Sequence, residues 1–265
     1  MKRRSLFPGI ITAFNYALLY VPIAYVIVYS FNASRLVTLW GGFSTRWYAS
    51  LAQDSELLEA AFLSLRIAVV SATVAVALGA LVAVALHRVS RLRGRILLSG
   101  MVTAPLVMPE IITGLSLLFL FISMANLIGW PASRGATTIA IAHITFSMAY
   151  VVVVVRSRLA TMDESLEEAA MDLGGTPIAV FFDITVPTLL PALVSGWLLA
   201  FALSLDDLVI SSFVSGPGAT TLPMLIFAKV RLGVTPDINA ITTIIIALVA
   251  TAVATAAVLT GRRRA

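Results

Sequence analysis

The chain has 265 residues, 60% of them hydrophobic and only 12% charged, with a mean hydropathy of +1.01. That composition holds too little polar surface to cover one water-soluble core, so it excludes an ordinary soluble domain and makes the bilayer the solvent. The formal net charge of +5 sits in short basic clusters between apolar runs, which argues against nucleic acid as a partner, and the absence of cysteine excludes disulfides, thiolate metal sites and a Cys nucleophile.

At about 20 apolar residues per crossing, this length holds roughly six membrane helices and no separate soluble domain, so residues 1–265 are expected to form a single transmembrane domain. The first run, Leu6 to Phe31, follows Lys2, Arg3 and Arg4. It outlasts the apolar stretch of a signal peptide and lacks a small-x-small cleavage site, so a retained first helix is expected. Further runs at Phe62 to Leu86, Ile96 to Ile128, Ala136 to Val155, Leu189 to Val214 and Ile238 to Leu259 complete six spans. Pro22 lies in the first span, and Pro105, Pro109 and Gly114 fall in the third, where a kink packed against a neighbour is expected. A fuller break would need protein or a wet cavity to satisfy the freed backbone groups. No internal repeat or low-complexity tract is evident.

Alternating the segments between these spans gives one side Lys2, Arg3, Arg4, Arg88, Arg91, Arg93, Arg95, Arg156, Arg158, Arg262, Arg263 and Arg264, twelve in all. The other side holds five, Arg35, Arg46, Arg134, Lys229 and Arg231, with Arg66 just inside a span. The richer side is cytoplasmic by the positive-inside rule, so both termini are expected there, in a multi-pass protein of the inner membrane.

One long connection, about 158–188, then falls on the cytoplasmic side between the fourth and fifth spans. Thr161 with Glu164 makes a capping box, and Leu166, Ala169, Ala170 and Leu173 follow at helical spacing, so a short helix is expected over Met162 to Leu173, stopped at Gly174. Thr176 as N-cap and Pro177 in the first turn start a second short helix carrying Ile178, Phe181 and Phe182. Pro187 and Pro191 mark the return to the membrane, which makes the segment a helical hairpin. The acids Asp163, Glu164, Glu167, Glu168 and Asp172 gather in its first half, while the apolar side chains of the second have no soluble core of this chain to enter, so a cytoplasmic partner is expected to receive them.

Three acids fall inside apolar runs: Glu110 in the third span, Asp206 and Asp207 in the fifth. A carboxylate at mid-bilayer costs about 2.5–3.5 kcal/mol on insertion scales, so these three are expected to face protein or water rather than lipid. Neighbouring Asp206 and Asp207 point about 100° apart on a helix and share a face only if the helix breaks there, so one can line a path while the other makes a structural bond. An anionic passage favours cations. The competing reading has these acids pair with Arg66 or cap a broken helix. His143 and Asn15 are expected to be interhelical hydrogen-bonders, and no cluster has metal-ligand spacing.

The run Glu168-Ala169-Ala170-Met171-Asp172-Leu173-Gly174, followed by Ile184-Thr185-Val186-Pro187, resembles the EAA loop of the permease subunits of binding-protein-dependent ABC importers. Val186 stands where that family usually has Leu. The resemblance implies an all-α membrane protein with the type I ABC importer permease fold, a core at about 58–258, and a coupling-helix hairpin at 158–188 seated on a cytoplasmic ATPase. The coupling residues it implies are Glu168, Ala169, Ala170, Gly174, Ile184 and Pro187. No Gly-x-x-x-x-Gly-Lys-Ser/Thr loop occurs, so the chain is expected to be no enzyme and to bind no cofactor itself, with ATP and Mg held by the partner ATPase.

Ser30-Phe31-Asn32, the stretch Ala104 to Glu110, and Ser204 to Gly218 resemble the polyamine branch of that family, and Ser204 to Met224 most resembles its putrescine permeases. This implies an importer subunit for a polyamine, putrescine first and spermidine next. The implied partners are an ABC ATPase dimer, a second and different permease, a periplasmic polyamine-binding protein and the lipid bilayer. Asp206, Asp207 and Glu110 become the candidate substrate path. An ion-coupled secondary transporter of an organic cation is the alternative, but it leaves the hairpin unexplained.

Overall fold

The structure, a computed structural model, describes residues 7–36, 39–89, 94–163, 165–233 and 236–261. Lys2, Arg3, Arg4, Arg91, Arg93, Glu164 and Arg262 to Arg264 lie outside the described residues, and with them part of the charge asymmetry and the acid of the expected capping box. Among the described residues, six helices are long and apolar enough to cross a membrane: Gly9–Tyr29, Ser55–Arg88, Glu110–Ile128, Ala136–Leu159, Pro177–Asp206 and Pro236–Thr255. The chain divides into two compact units, Met1–Glu59 with Leu225–Ala254, and Ala60–Met224 with Thr255–Ala265.

In the first unit, helix α1 (Phe7–Tyr29) buries none of its apolar window against the rest of the chain. The chain then turns around Asn32, which is fully buried: its Nδ2 donates to the Leu39 carbonyl at 2.7 Å, and its Oδ1 accepts from the Gly41 N–H at 2.8 Å and the Ser34 N–H at 3.1 Å. Phe31 stacks on Phe43, and a short helix α2 (Arg46–Leu51) follows. Asp54 caps helix α3 (Ser55–Arg88), accepting from the Leu57 N–H at 3.1 Å, while its other oxygen accepts from Lys229 Nζ at 2.9 Å near the end of α11 (Leu222–Leu232). Helix α12 runs Pro236–Gly261.

The second unit is built from the rest of α3, then α4 (Arg95–Val107), α5 (Glu110–Ile128), α6 (Ala136–Leu159), α7 (Ser165–Asp172), α8 (Pro177–Val180), a π turn at Phe181–Thr185, α9 (Val186–Asp206) and α10 (Val209–Val214). One apolar cluster joins Ala68, Ala72 and Ala75 of α3 to Val151, Val152 and Val155 of α6 and to Leu189 and Phe201 of α9. Without a hydrophobic drive between helices in lipid, close backbone approach at small residues holds such a bundle together. A Cβ on Gly79 would lie 2.8 Å from the Val151 side chain, so α3 and α6 touch there as only glycine allows. A second cluster packs Phe121 of α5, Ile139 and Ala142 of α6, and Ile210 and Val214 of α10.

Two expected spans prove to be broken. The third is two helices rather than one kinked rod, because Met108 and Pro109 are extended, with ψ of 134° and 138°. Proline has no N–H to donate and excludes the helical conformation from the residue before it. Pro105 is tolerated inside α4, and Gly114 serves packing rather than a break: a Cβ there would meet Phe213 of α10 at 2.7 Å. The fifth span stops at Asp206, with Asp207 extended at ψ 120°, and resumes as α10.

Candidate functional site

The connection between α6 and α9 folds as a tight hairpin. Helix α7 begins at Ser165 rather than Met162, because Asp163 Oδ1 takes the Ser165 N–H at 3.0 Å while Thr161 turns its hydroxyl back to the Arg158 carbonyl. Hydrogen bonds from Ser165, side chain first and then backbone, hold the Asp163 carboxyl below the usual carboxylate range. Gly174 closes the helix at φ +91°, a left-handed conformation that a side chain resists. Gly175 packs so tightly that a Cβ would meet the Ala170 carbonyl oxygen at 2.8 Å. Thr176 caps α8 as expected, its hydroxyl accepting from the Ala179 N–H at 3.3 Å.

The second arm is not a separate helix. Through the π turn, α8 runs on into α9, with the Val186 N–H reaching back to the Phe181 carbonyl. Pro187 lacks an N–H and its ring crowds the carbonyl four residues back, and a widened turn just before it accommodates both without ending the helix. Pro187 therefore continues the membrane helix instead of marking a return to it.

Polarity in α7 is arranged against the ordinary pattern. Leu166, Met171 and Leu173 point outward, Leu173 at 90% exposure, together with Ile178 and Phe182 of the second arm. Glu168, Ala169, Gly174 and Pro187 are exposed on the same hairpin, with Ala170 and Ile184 half-buried. Glu167 instead turns inward, its side chain 13% exposed, where Arg88 at the end of α3 and the Thr185 hydroxyl, at 2.6 Å, both donate to its Oε1. Thr185 also accepts from Arg88 at 3.2 Å, closing a three-membered ring.

The second group of residues lies where the spans break. Asp207 caps α10: its Oδ1 accepts from the Ile210 N–H at 3.2 Å and its Oδ2 from the Ser211 N–H at 2.7 Å. His143 of α6, 1% exposed, meets Ser204 Oγ at 2.6 Å through Nδ1, and Asp207 Oδ2 at 3.1 Å and Ser211 Oγ at 3.0 Å through Nε2. Although the helix breaks between them, the two neighbouring acids do not share a face: Asp206 is exposed while Asp207 is buried. Glu110, the first residue of α5, is also exposed.

Residues 75–263 match the family described as binding-protein-dependent transport system inner membrane component. The chain belongs to that family. The permease is 57% identical over 246 residues to the putrescine transport system permease protein PotI of Escherichia coli strain K12, covering 93% of this chain and 88% of that one. It is 44% identical over 248 residues to the spermidine/putrescine transport system permease protein PotC of the same strain, covering 94% and 91%. Among solved structures, a chain of a bacterial ABC transporter that imports the acidic polysaccharide alginate superposes with a TM-score of 0.75 at 16% identity, over 97% of this chain and 95% of that one. The permease is thus a multi-pass inner-membrane transport subunit with the all-α importer fold that its hairpin implied.

Of the residues singled out from sequence, the permease leaves Glu110 and Asp206 exposed, each beside a helix break, and directs Asp207 into the His143 cluster. Arg66 is exposed on α3, and no ion pair among the described residues joins it to these acids. Asn15 is exposed on α1 rather than bonded across helices. In the sequence Arg88 stands only as a topology charge, and Thr185, Ser204 and Ser211 stand only as members of the motif runs, with no role of their own. The signal available was the contrast between Glu167, one residue before the Glu168-Ala169-Ala170 run, and the apolar positions around it.

Proposed function

We propose that this permease forms half of the translocation path of an ATP-driven polyamine importer, with putrescine as its substrate. The observation that carries the substrate reading is the exposed pair Glu110 and Asp206, two carboxylates held at helix breaks in an otherwise apolar membrane region, which suits a molecule with two ammonium groups. The names of the relatives support the same class. Asp207 takes part through position: by capping α10 it sets the break that presents Asp206.

The hairpin residues Glu168, Ala169, Ala170, Gly174, Ile184 and Pro187 seat it on an ABC ATPase dimer that holds ATP and Mg. The outward Leu166, Leu173, Ile178 and Phe182 fit an apolar groove on that partner. A second, different permease and a periplasmic polyamine-binding protein complete the complex, with both termini of this chain in the cytoplasm.

Two measurements test this. Uptake of putrescine into vesicles should stop when ATP hydrolysis is blocked while the proton gradient is kept; continued uptake would point to an ion-coupled secondary transporter instead. Asp206→Asn and Glu110→Gln should each lower putrescine uptake by about tenfold at unchanged membrane abundance, the scale of one lost charge contact. Normal uptake in both variants would take these acids out of the path.

A further inference from the structure

We infer that the ring formed by Arg88, Glu167 and Thr185 is a mechanical clamp that passes hairpin motion into two membrane spans at once. The inference rests on the coupling role proposed above and adds to it the residues that tie the hairpin to the helices behind it. Glu167 is on α7, Arg88 is the last residue of α3, and Thr185 is the last residue of the π turn that leads into α9. Each member bonds the other two, with Thr185 accepting from Arg88 and donating to Glu167.

The placement distinguishes this ring from an ordinary surface ion pair. Thr185 is fully buried, Glu167 is 13% exposed and Arg88 33%, and Leu159 and Met162, with His87 and Asp163, line the same groove as Arg88 and Glu167. A charge-assisted ring with a buried hydroxyl and a mostly buried carboxylate holds its geometry better than a fully solvated pair, because water competes less for those two groups. The same residues explain why Glu167, alone among the acids of α7, turns toward the membrane helices, while Glu168 and Asp172 stay exposed beside the outward apolar side chains.

A shift of α7 therefore pulls along the axis of α3 through Arg88. Through Thr185 it acts on the base of α9, whose far end is Asp206 beside the break. The π turn matters here because a widened turn is the softest point of a continuous helix, and Thr185 bonded to Glu167 pins it at its last residue. Without the clamp the hairpin can still ride on the ATPase, but its travel is absorbed by the turn and no longer reaches the spans.

The test uses the complete importer in proteoliposomes, with its binding protein, comparing the parent with Arg88→Gln, Glu167→Gln and Thr185→Val. Each variant should co-purify with the ATPase and hydrolyse ATP within about twofold of the parent, while putrescine taken up per ATP falls by about tenfold, within the range of coupling between sites. The exchanged pair Arg88→Glu with Glu167→Arg should recover most of the loss, which a fold defect would not do. Thr185→Val keeps the shape of the side chain and removes only its hydroxyl, so it tests the ring even if a charge variant misfolds. Parental uptake per ATP in Glu167→Gln and Thr185→Val would overturn the clamp. So would loss of the ATPase from these variants, since that would make them docking residues. Failure of the parent permease itself to hold the ATPase would instead overturn the coupling role on which the clamp rests.

Discussion

His143 engages both of its ring nitrogens: Nδ1 meets Ser204 Oγ at 2.6 Å, and Nε2 meets Asp207 Oδ2 at 3.1 Å and Ser211 Oγ at 3.0 Å. Asp207 in turn accepts two backbone N–H groups at the start of α10 with a side chain that is 4% exposed. Replacing it by alanine leaves those donors without a partner in a buried place, at a cost of about 1–3 kcal/mol each. Asp207→Ala should therefore lower membrane abundance and the melting temperature in detergent, whereas Asp206→Asn should leave both unchanged and lower uptake. Parental stability in Asp207→Ala would mean that the cap is dispensable. The sequence made the break at these two acids one of two options, since a continuous helix would have put them about 100° apart. It could not choose which acid turned inward. That choice depends on His143, Ser204 and Ser211 meeting across two helices, and no local spacing encodes such a meeting.

At the scale of elements, Asp54 does two jobs at the entry to α3, capping its first turn and accepting from Lys229 at 2.9 Å. The hydrogen bond from Lys229 is the largest influence that holds the Asp54 carboxyl below the usual carboxylate range, against a smaller opposing effect of burial. A carboxyl with its folded pKa lowered contributes stability that is fully present above the unfolded value of about 3.9 and is lost as pH falls through the folded one. The melting temperature of Asp54→Asn should thus lie below that of the parent by a constant amount from pH 7 to pH 5, and the gap should close only below about pH 4. A gap already closing at pH 6 would show that another group is responsible. The spans, the Gly174 stop and the Thr176 cap were legible because each rests on a local pattern. The π turn was not: Pro187 and Pro191 argue for a break, whereas the widened turn before Pro187 and the packing of α9 in one apolar cluster with α3 and α6 accompany a continuous helix.

On the scale of the whole molecule, the charge asymmetry and the outward apolar side chains of the hairpin make one joint statement about sidedness that a single labelling experiment can read. The chain contains no cysteine, so any introduced thiol is unique. Leu173, 90% exposed at the hairpin turn, and Phe43, 72% exposed in the connection after α1, tolerate the change without a core cost. In inverted vesicles stripped of the ATPase, a membrane-impermeant maleimide should label Leu173→Cys and spare Phe43→Cys, and in right-side-out spheroplasts the pattern should reverse. If the proposed coupling role holds, adding the ATPase back should then protect Leu173→Cys, because an apolar side chain exposed at the tip of a hairpin is the part that a partner groove covers first. Labelling of Leu173→Cys from the outer face would reverse the orientation of every span. Labelling on the inner face that the ATPase does not reduce would keep the topology and move the docking surface elsewhere on the hairpin, toward Ile178 and Phe182.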